Sequence, residues 1–159
     1  MSNNKNIEIE KLFDQLQSTT DQEQIKDIES SILSLWLKTD NRLVDDLMED
    51  GMQLMGNYQY EDALEAFSKV THIDPDYAEG WNKRAIVYYL RGEFKLAIRD
   101  IQRTLQLEPR HFAAMSGLAN IFREMLAYRK ALKVLKYMTR ISPNRETLEE
   151  QIKALEEKL

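Results

Sequence analysis

Large apolar residues recur along this chain at intervals of 34 residues. Two of these series are Leu54, Tyr88 and Phe122, and Phe67, Ile101 and Leu135. The only three prolines, Pro75, Pro109 and Pro143, keep the same interval. A fixed period of this length indicates one helix–turn–helix unit used three times, over residues 44–77, 78–111 and 112–145.

Small residues repeat within each unit at the points where two helices of a hairpin would cross. The eighth and twentieth positions hold Gly51, Ala85 and Ala119, and Ala63, Ala97 and Ala131. Two helices approach closely only where the side chains between them are small. The pattern predicts first helices at 42–56, 77–91 and 111–125, and second helices at 59–72, 94–107 and 128–141. The prolines follow the second helices, which they cannot continue.

These spaced positions resemble the tetratricopeptide repeat, most closely in the middle unit. That unit matches the family at Trp81, Ala85, Tyr88, Gly92, Phe94, Ala97 and Pro109. The first unit departs from the pattern with Leu47 and Asn57, and the third with Met115 and Leu126. The resemblance implies an all-α fold, a right-handed α-α superhelix of antiparallel helix pairs.

Both ends of the chain also have helical patterns outside the three repeats. Residues 1–40 predict a divergent helix pair capping the N-terminal end of the array, with a capping box at 20–23 opening its second helix. In the extended register, Gln17 and Glu29 stand where small residues belong, and Asn41 replaces proline. Residues 144–159 predict a C-terminal capping helix, so that the repeats occupy 41–143.

Composition and charge narrow the function classes. The chain has no cysteine, which excludes disulfides, zinc–thiolate sites and thiol catalysis. No apolar run could span a bilayer, and the first residues lack the apolar core of a signal peptide. We therefore expect no membrane insertion and a cytoplasmic protein, or a periplasmic or secreted one if a leader has been removed.

The two halves of the chain carry opposite charge. Residues 1–80 contain six Lys and Arg against eighteen Asp and Glu, or −12, whereas residues 81–159 sum to +7. Opposite fields of this kind can steer partners or favour head-to-tail association. The basic second helices suggest either an anionic partner or a solvated face; the low pI of about 5.2 favours the solvated face, and no nucleic acid is expected.

The resemblance implies that the first helix of each repeat lines a concave, partner-binding groove. The positions that would face it are Met48, Met52, Met55, Asn82, Lys83, Ile86, Tyr89, Ser116, Asn120 and Arg123. Methionine suits adaptable apolar surfaces. The alternative is that the three methionines pack beneath the N-terminal helices.

The family also includes clamps for the C-terminal carboxylate of chaperones, built from lysines and asparagines on successive first helices. Here Met48, Met52, Ala113 and Gly117 occupy the corresponding positions, which leaves Lys83 alone. We therefore expect no binding of that type.

Catalytic motifs are missing from the sequence. The two histidines, His72 and His111, lie in no metal-binding spacing, and there is no glycine-rich phosphate loop. A pocket holding His111 against a carboxylate would reopen the question. We predict a non-catalytic adaptor or scaffold without cofactor or metal, binding a peptide or helix of another protein. The alternative is a weakly self-associating structural protein joined through its acidic and basic halves.

Overall fold

A computed structural model describes residues 2–159, and all regular structure in this range is α-helical. Nine helices are present in it: α1 (Ser2–Ser18), α2 (Gln22–Leu37), α3 (Arg42–Gly56), α4 (Tyr60–Ile73), α5 (Ala78–Leu90), α6 (Phe94–Leu107), α7 (Phe112–Glu124), α8 (Tyr128–Met138) and α9 (Glu146–Glu156). The predicted and observed bounds agree within about two residues, except that α8 ends three residues early. There the chain tightens into a turn, since the Ile141 N–H bonds to the Met138 carbonyl at 3.0 Å.

The contacts divide the chain into two compact units. One unit is continuous and spans Thr39–Ile121, which includes α3 to α6 and most of α7. The other unit joins the residues up to Lys38 with Phe122–Leu159. The repeats therefore contribute to both units.

Close approach of the helices in the Thr39–Ile121 unit depends on the small residues that the sequence singled out. Ala63 and Ala97 are completely buried, and Ala85 is 2% exposed. Gly51 lies so close to Phe67 that an added Cβ would stand 2.5 Å from Cε1 of the ring. Ala85 and Ala97 share a core cluster with Ile101, Ala114 and Ile121, and the half-buried Tyr88, Tyr89, Phe94, Ile98, Leu105 and Leu118 pack against it.

The turn inside each repeat contains one residue in the left-handed region, again at intervals of 34. These residues are Tyr58, Gly92 and Leu126, with φ of 62°, 73° and 58°. Glycine adopts this conformation without the steric cost that other residues incur. Gly92 is one of the residues that match the family pattern, and Leu126 is one of the departures in the third repeat. In the first repeat the departure is Asn57, and the left-handed residue is Tyr58, one position later.

In the other unit, α1 and α2 form a hairpin over a core of isoleucine, leucine and phenylalanine. Ile9, Phe13, Leu16, Ile25, Ile28 and Ile32 are buried. The predicted capping box is wrong in detail, because Asp21 rather than Thr20 caps α2. The Asp21 carboxylate accepts from the backbone N–H groups of Glu23 and Gln24 at 3.0 and 3.1 Å.

The N-terminal pair contacts the C-terminal segment of the chain, which the sequence did not predict. Gln17 donates from Nε2 to the carbonyls of Arg140 and Ile141 at 2.7 and 3.0 Å. Gln22 donates from Nε2 to the Asn144 carbonyl at 2.9 Å. The Asn144 carboxamide in turn donates to the Thr19 carbonyl at 3.0 Å. These bonds hold both ends of the sequence in one unit, while the predicted domain limits stay a prediction.

A candidate partner-binding face on the first helices

The first helices of the repeats lie side by side in the Thr39–Ile121 unit. α3 packs against α5, and Glu79 at the start of α5 contacts His111 immediately before α7. Helical spacing places Met48, Met52 and Met55 on one stripe of α3. This arrangement supplies the framework for the predicted groove.

The methionine stripe is only partly available to a partner. Met48 is 1% exposed, so it is a core side chain and its assignment to the binding face is corrected here. Met52 and Met55 are half-buried and retain accessible surface. Exposure therefore changes along the stripe, with Met48 in the core and Met52 and Met55 nearer the surface of α3.

The α5 residues of the predicted face differ in the same way. Asn82 is 4% exposed and bonds through its side chain to the Glu79 carboxylate. Lys83 is partly accessible and holds its Nζ 3.9 Å from Glu79. Ile86 and Tyr89 are half-buried, and the Tyr89 ring stacks on Phe94 with centroids 5.8 Å apart. Asn82 is thus part of an internal polar network, so its assignment to the binding face is corrected. Ile86 and Tyr89 keep accessible surface for a ligand.

On α7, Ser116 is half-buried, whereas Asn120 and Arg123 are exposed. Spacings of four and three place these three residues on one face of the helix. Arg123 belongs to the unit that contains the chain ends, and the other two belong to the Thr39–Ile121 unit. The structure therefore brings Met52, Met55, Ile86, Tyr89, Ser116 and Asn120 into one unit.

Sequence reasoning missed the pair of Glu79 and His111 at the base of this face. The His111 Nδ1 accepts from the Ala114 backbone N–H at 3.1 Å, so the imidazole caps α7. The other ring nitrogen, Nε2, then carries the proton and donates to Glu79 Oε1. Burial by itself raises the pKa of Glu79, but His111, Lys83 and Asn82 together outweigh it and hold that pKa below its usual value.

This pair fulfils only half of the condition set for an enzyme. His111 has a carboxylate in contact, but its side chain is 0% exposed and that of Glu79 is 3% exposed. A substrate cannot reach either group without displacing the packed helices. A capping role explains the His111 position, and a histidine at the first position of the predicted helix 111–125 was the signal that could have indicated it.

Neither Glu79 nor His111 lines either of two depressions in the surface. One, of about 480 Å³, is lined by Leu43, Leu47, Glu65, Ser68, Lys69, His72 and Ile73. The other, of about 230 Å³, is lined by Thr20, Gln22, Pro143, Asn144, Arg145, Glu146 and Glu149. Among residues 2–159 no cluster of three His, Asp or Glu side chains has the arrangement of a metal site. None of the described helices is both long and apolar enough to cross a membrane.

Comparison with known sequences decides the family. Models described as TPR repeat and tetratricopeptide repeat match residues 59–92 and 78–111. A TPR repeat-containing protein of Rhizobium etli is 30% identical over 151 residues, which cover 95% of this chain and 74% of that protein. The chain belongs to the tetratricopeptide-repeat family. The predicted family is thereby confirmed, and the second model matches the predicted middle repeat, 78–111.

Solved structures of TPR proteins share the fold. The first TPR of Spaghetti, bound to the HSP90 peptide SRMEEVD, has a TM-score of 0.68 and 18% identity over 75% of this chain and 94% of its own. The MamA protein has a TM-score of 0.66 and 20% identity over 99% of this chain and 83% of its own. The predicted class, an all-α solenoid of helix pairs, is confirmed by this likeness.

Proposed function

We propose that this TPR protein is a non-catalytic binding module that holds a peptide or helix of a partner protein on the face formed by α3, α5 and α7. The observation that carries the proposal is the accessible apolar surface of Met52, Met55, Ile86 and Tyr89 on adjacent first helices. Solved TPR domains with chaperone peptides support the general mode of binding. Because the identity is only 18% for the Spaghetti domain, its peptide ligand is not assigned to this chain.

The burial pattern supports a surface for recognition rather than catalysis. The titratable groups at its base, Glu79 and His111, are enclosed and hydrogen-bonded to each other. The residues that remain accessible, such as Met52, Tyr89 and Asn120, offer dispersion contacts, a phenol hydroxyl and an amide. A face of this composition gains affinity from a few buried anchors of the partner.

The test compares crosslinked partner capture by the native chain and by a triple variant, Met52→Ala, Tyr89→Ala and Asn120→Ala. We expect capture of the main crosslinked species to fall by about tenfold or more, since the variant removes the central contacts. A matched triple variant, Lys95→Ala, Gln102→Ala and Lys133→Ala, alters exposed residues on the second helices. Equal capture by both variants would reject the face.

The Tyr89→Ala change also removes a stacking contact with Phe94, so the folded state needs its own control. Circular dichroism and urea unfolding of each variant provide it. A second variant, Met52→Glu with Asn120→Arg, leaves Tyr89 in place and places charge on the face. Loss of capture in this variant while unfolding stays unchanged assigns the loss to the surface.

A second candidate is self-association through charge, favoured by the segregation of exposed residues. From 125 to 145 the chain contains six Lys and Arg and no Asp or Glu. Arg129, Lys133, Lys136 and Arg140 are exposed at spacings of four and three along α8 and the turn after it. Sedimentation at low and high salt tests this candidate: a salt-insensitive monomer at high concentration rules it out.

A further inference from the structure

We infer that the partner segment is a cationic amphipathic helix, a conclusion that rests on the proposed function and specifies its ligand. The first observation is charge. Residues 43–68, which contain most of α3 and α4, include seven Asp and Glu and no Lys, Arg or His. Within α3, the exposed Glu49 lies one turn before the half-buried Met52, on the same side of the helix.

Each cation of α3 and α5 lies within 4.0 Å of a carboxylate. Arg42 lies 3.9 Å from Asp46, and Lys83 lies 3.9 Å from Glu79. Arg84 lies 2.7 Å from Asp100, which is completely buried. On α3 and α5 an acidic segment would therefore meet cations that already lie near a carboxylate, whereas a cationic segment meets exposed acidic side chains. The exposed Arg123 at the end of α7 belongs to the other unit.

The apolar residues specify the second property of the ligand. Met52, Met55, Ile86 and Tyr89 present flexible, half-buried surface on two adjacent helices. Methionine adapts to irregular apolar shapes better than branched side chains do. A ligand that meets both this surface and Glu49 needs apolar and basic residues on one side.

The helical form of the ligand follows from the backbone. α3, α5 and α7 use their N–H and C=O groups in their own helices, so this face offers no strand edge to which an extended peptide could add. Side chains such as the Asn120 amide can bond only a few backbone groups of a ligand, so a segment that buries its backbone here fits best as a helix, which satisfies its own hydrogen bonds. Apolar anchors at spacings of three and four residues then match the stripe on α3.

The direct test uses two labelled peptides with the same Leu pattern, one with Lys and one with Glu at every polar position, together with SRMEEVD. Fluorescence anisotropy with the full chain measures the three affinities. We expect the Lys peptide to bind about tenfold or more tightly than the Glu peptide, and to weaken between about 50 and 500 mM salt. We expect SRMEEVD to bind no better than the Glu peptide.

A pair of variants separates local recognition from net charge. Glu49→Lys should weaken the Lys peptide by about fivefold, because it places like charge beside the apolar contacts. Glu150→Lys makes the same change in net charge at an exposed position of α9 and should leave the affinity unchanged. Equal weakening by both variants would show that the attraction depends only on the net charge of the chain, and this result would overturn the inference.

Other outcomes distinguish this inference from the proposed function. Tighter binding of the Glu peptide or of SRMEEVD, if it is lost in the variant with Met52→Glu and Asn120→Arg, would overturn the charge specificity and leave the binding face intact. Binding of no peptide would count against both. Self-association that Glu49→Lys abolishes and Glu150→Lys does not would make the occupant a second copy, and the inference of a separate cationic partner would fail.

Discussion

Arg84 on α5 donates from Nε and Nη2 to the two carboxylate oxygens of Asp100 on α6, at 2.7 and 3.0 Å. Its third nitrogen, Nη1, lies 3.3 Å from the hydroxyl groups of Ser68 and Thr71 on α4. The guanidinium also stands 5.0 Å from the centre of the Trp81 ring. One side chain therefore links the second helix of one repeat to both helices of the next.

Removal of either partner of this ion pair should be strongly destabilising. Asp100 is completely buried, so Arg84→Ala leaves its charge with only the mostly exposed Arg99, 4.0 Å away. We expect a loss of about 3–5 kcal/mol in the free energy of unfolding for Arg84→Ala or Asp100→Ala. Urea unfolding measures this loss. Arg84→Lys should recover only part of it, since an ammonium cannot make the two parallel bonds.

An apolar replacement of the whole pair provides the control. Arg84→Met with Asp100→Leu removes both charges together and should be less destabilising than either alanine variant. If the single variants lose less than about 1 kcal/mol, the pair behaves as an exposed salt bridge and its structural role is wrong.

Replacement of a left-handed turn residue by glycine should stabilise the protein, in contrast to the changes at Arg84 and Asp100. Leu126 has a φ of 58° and is 71% exposed, so glycine there would relieve steric cost while losing little packing. We expect Leu126→Gly to increase the free energy of unfolding by about 0.5–1 kcal/mol, because the relief exceeds the added entropy of the unfolded chain. Gly92→Ala should decrease it by a similar amount. Thermal or urea unfolding checks both signs, and a destabilised Leu126→Gly would contradict the strain.

Two glycines of α3 should respond differently to alanine. At Gly51 a new Cβ would stand 2.5 Å from the ring of Phe67, whose side chain is completely buried. We expect Gly51→Ala to cost about 1–3 kcal/mol through overpacking. Gly56 has no atom within 4 Å of a new Cβ, so Gly56→Ala should be neutral or stabilising by up to about 1 kcal/mol. Similar changes in the free energy of unfolding at both positions would show that contact with Phe67 does not cause the loss of stability at Gly51.

The two buried glutamates should have opposite effects on the pH dependence of stability. Interaction with His111 and Lys83 holds the pKa of Glu79 below its ordinary value of 4.5 despite burial. Its contribution is therefore present above that value and lost as pH falls. Burial raises the pKa of Glu29, which Arg145 only partly offsets. The folded state then favours the protonated acid, and stability falls as pH rises from 4.5 through the raised pKa.

Unfolding between about pH 3 and 7 separates these effects. The stability difference between the native chain and Glu79→Gln should grow in favour of the native chain as pH rises. The difference between the native chain and Glu29→Gln should shift against the native chain over the range just above 4.5. Each variant is the control for the other, and slopes of the same sign would contradict one of the two assignments.

The repeated part of the fold could be predicted because its signals are local and recur. Apolar spacing and the small residues at 51, 85 and 119 fixed the hairpins, and the bounds predicted for α3 are those observed. The exposure of individual face residues could not be predicted, since it depends on neighbouring helices. Met48 is buried and Met52 is not, although one helical turn separates them. The contact of Glu79 with His111 joins residues 32 apart, and the equivalent positions hold other residue types, Asp45 and Tyr77 in the first repeat and Ala113 and Arg145 in the third.

Departures from the repeat pattern proved informative in a different way. Gln17 and Glu29 occupy positions where the register expects small residues. In the structure Gln17 bonds to the carbonyls of Arg140 and Ile141, and Glu29 pairs with Arg145 at 3.2 Å. Polar side chains in these positions therefore serve contacts with the C-terminal segment. Such contacts span more than 115 residues and leave no periodic signal.

These contacts predict that loss of the polar side chains loosens the C-terminal segment selectively. Gln22 uses both ends of its carboxamide, donating to the Asn144 carbonyl and accepting from the Glu146 N–H, the first of α9. With Gln17→Ala and Gln22→Ala together, we expect a loss of about 1–2 kcal/mol, since several backbone groups lose their partners. Hydrogen exchange should accelerate over residues 140–146 and stay unchanged in α5 and α6. The control is Gln15→Ala, which changes an exposed glutamine of α1, the helix that carries Gln17. Unchanged exchange over 140–146 in the double variant would show that apolar packing alone holds the two ends together.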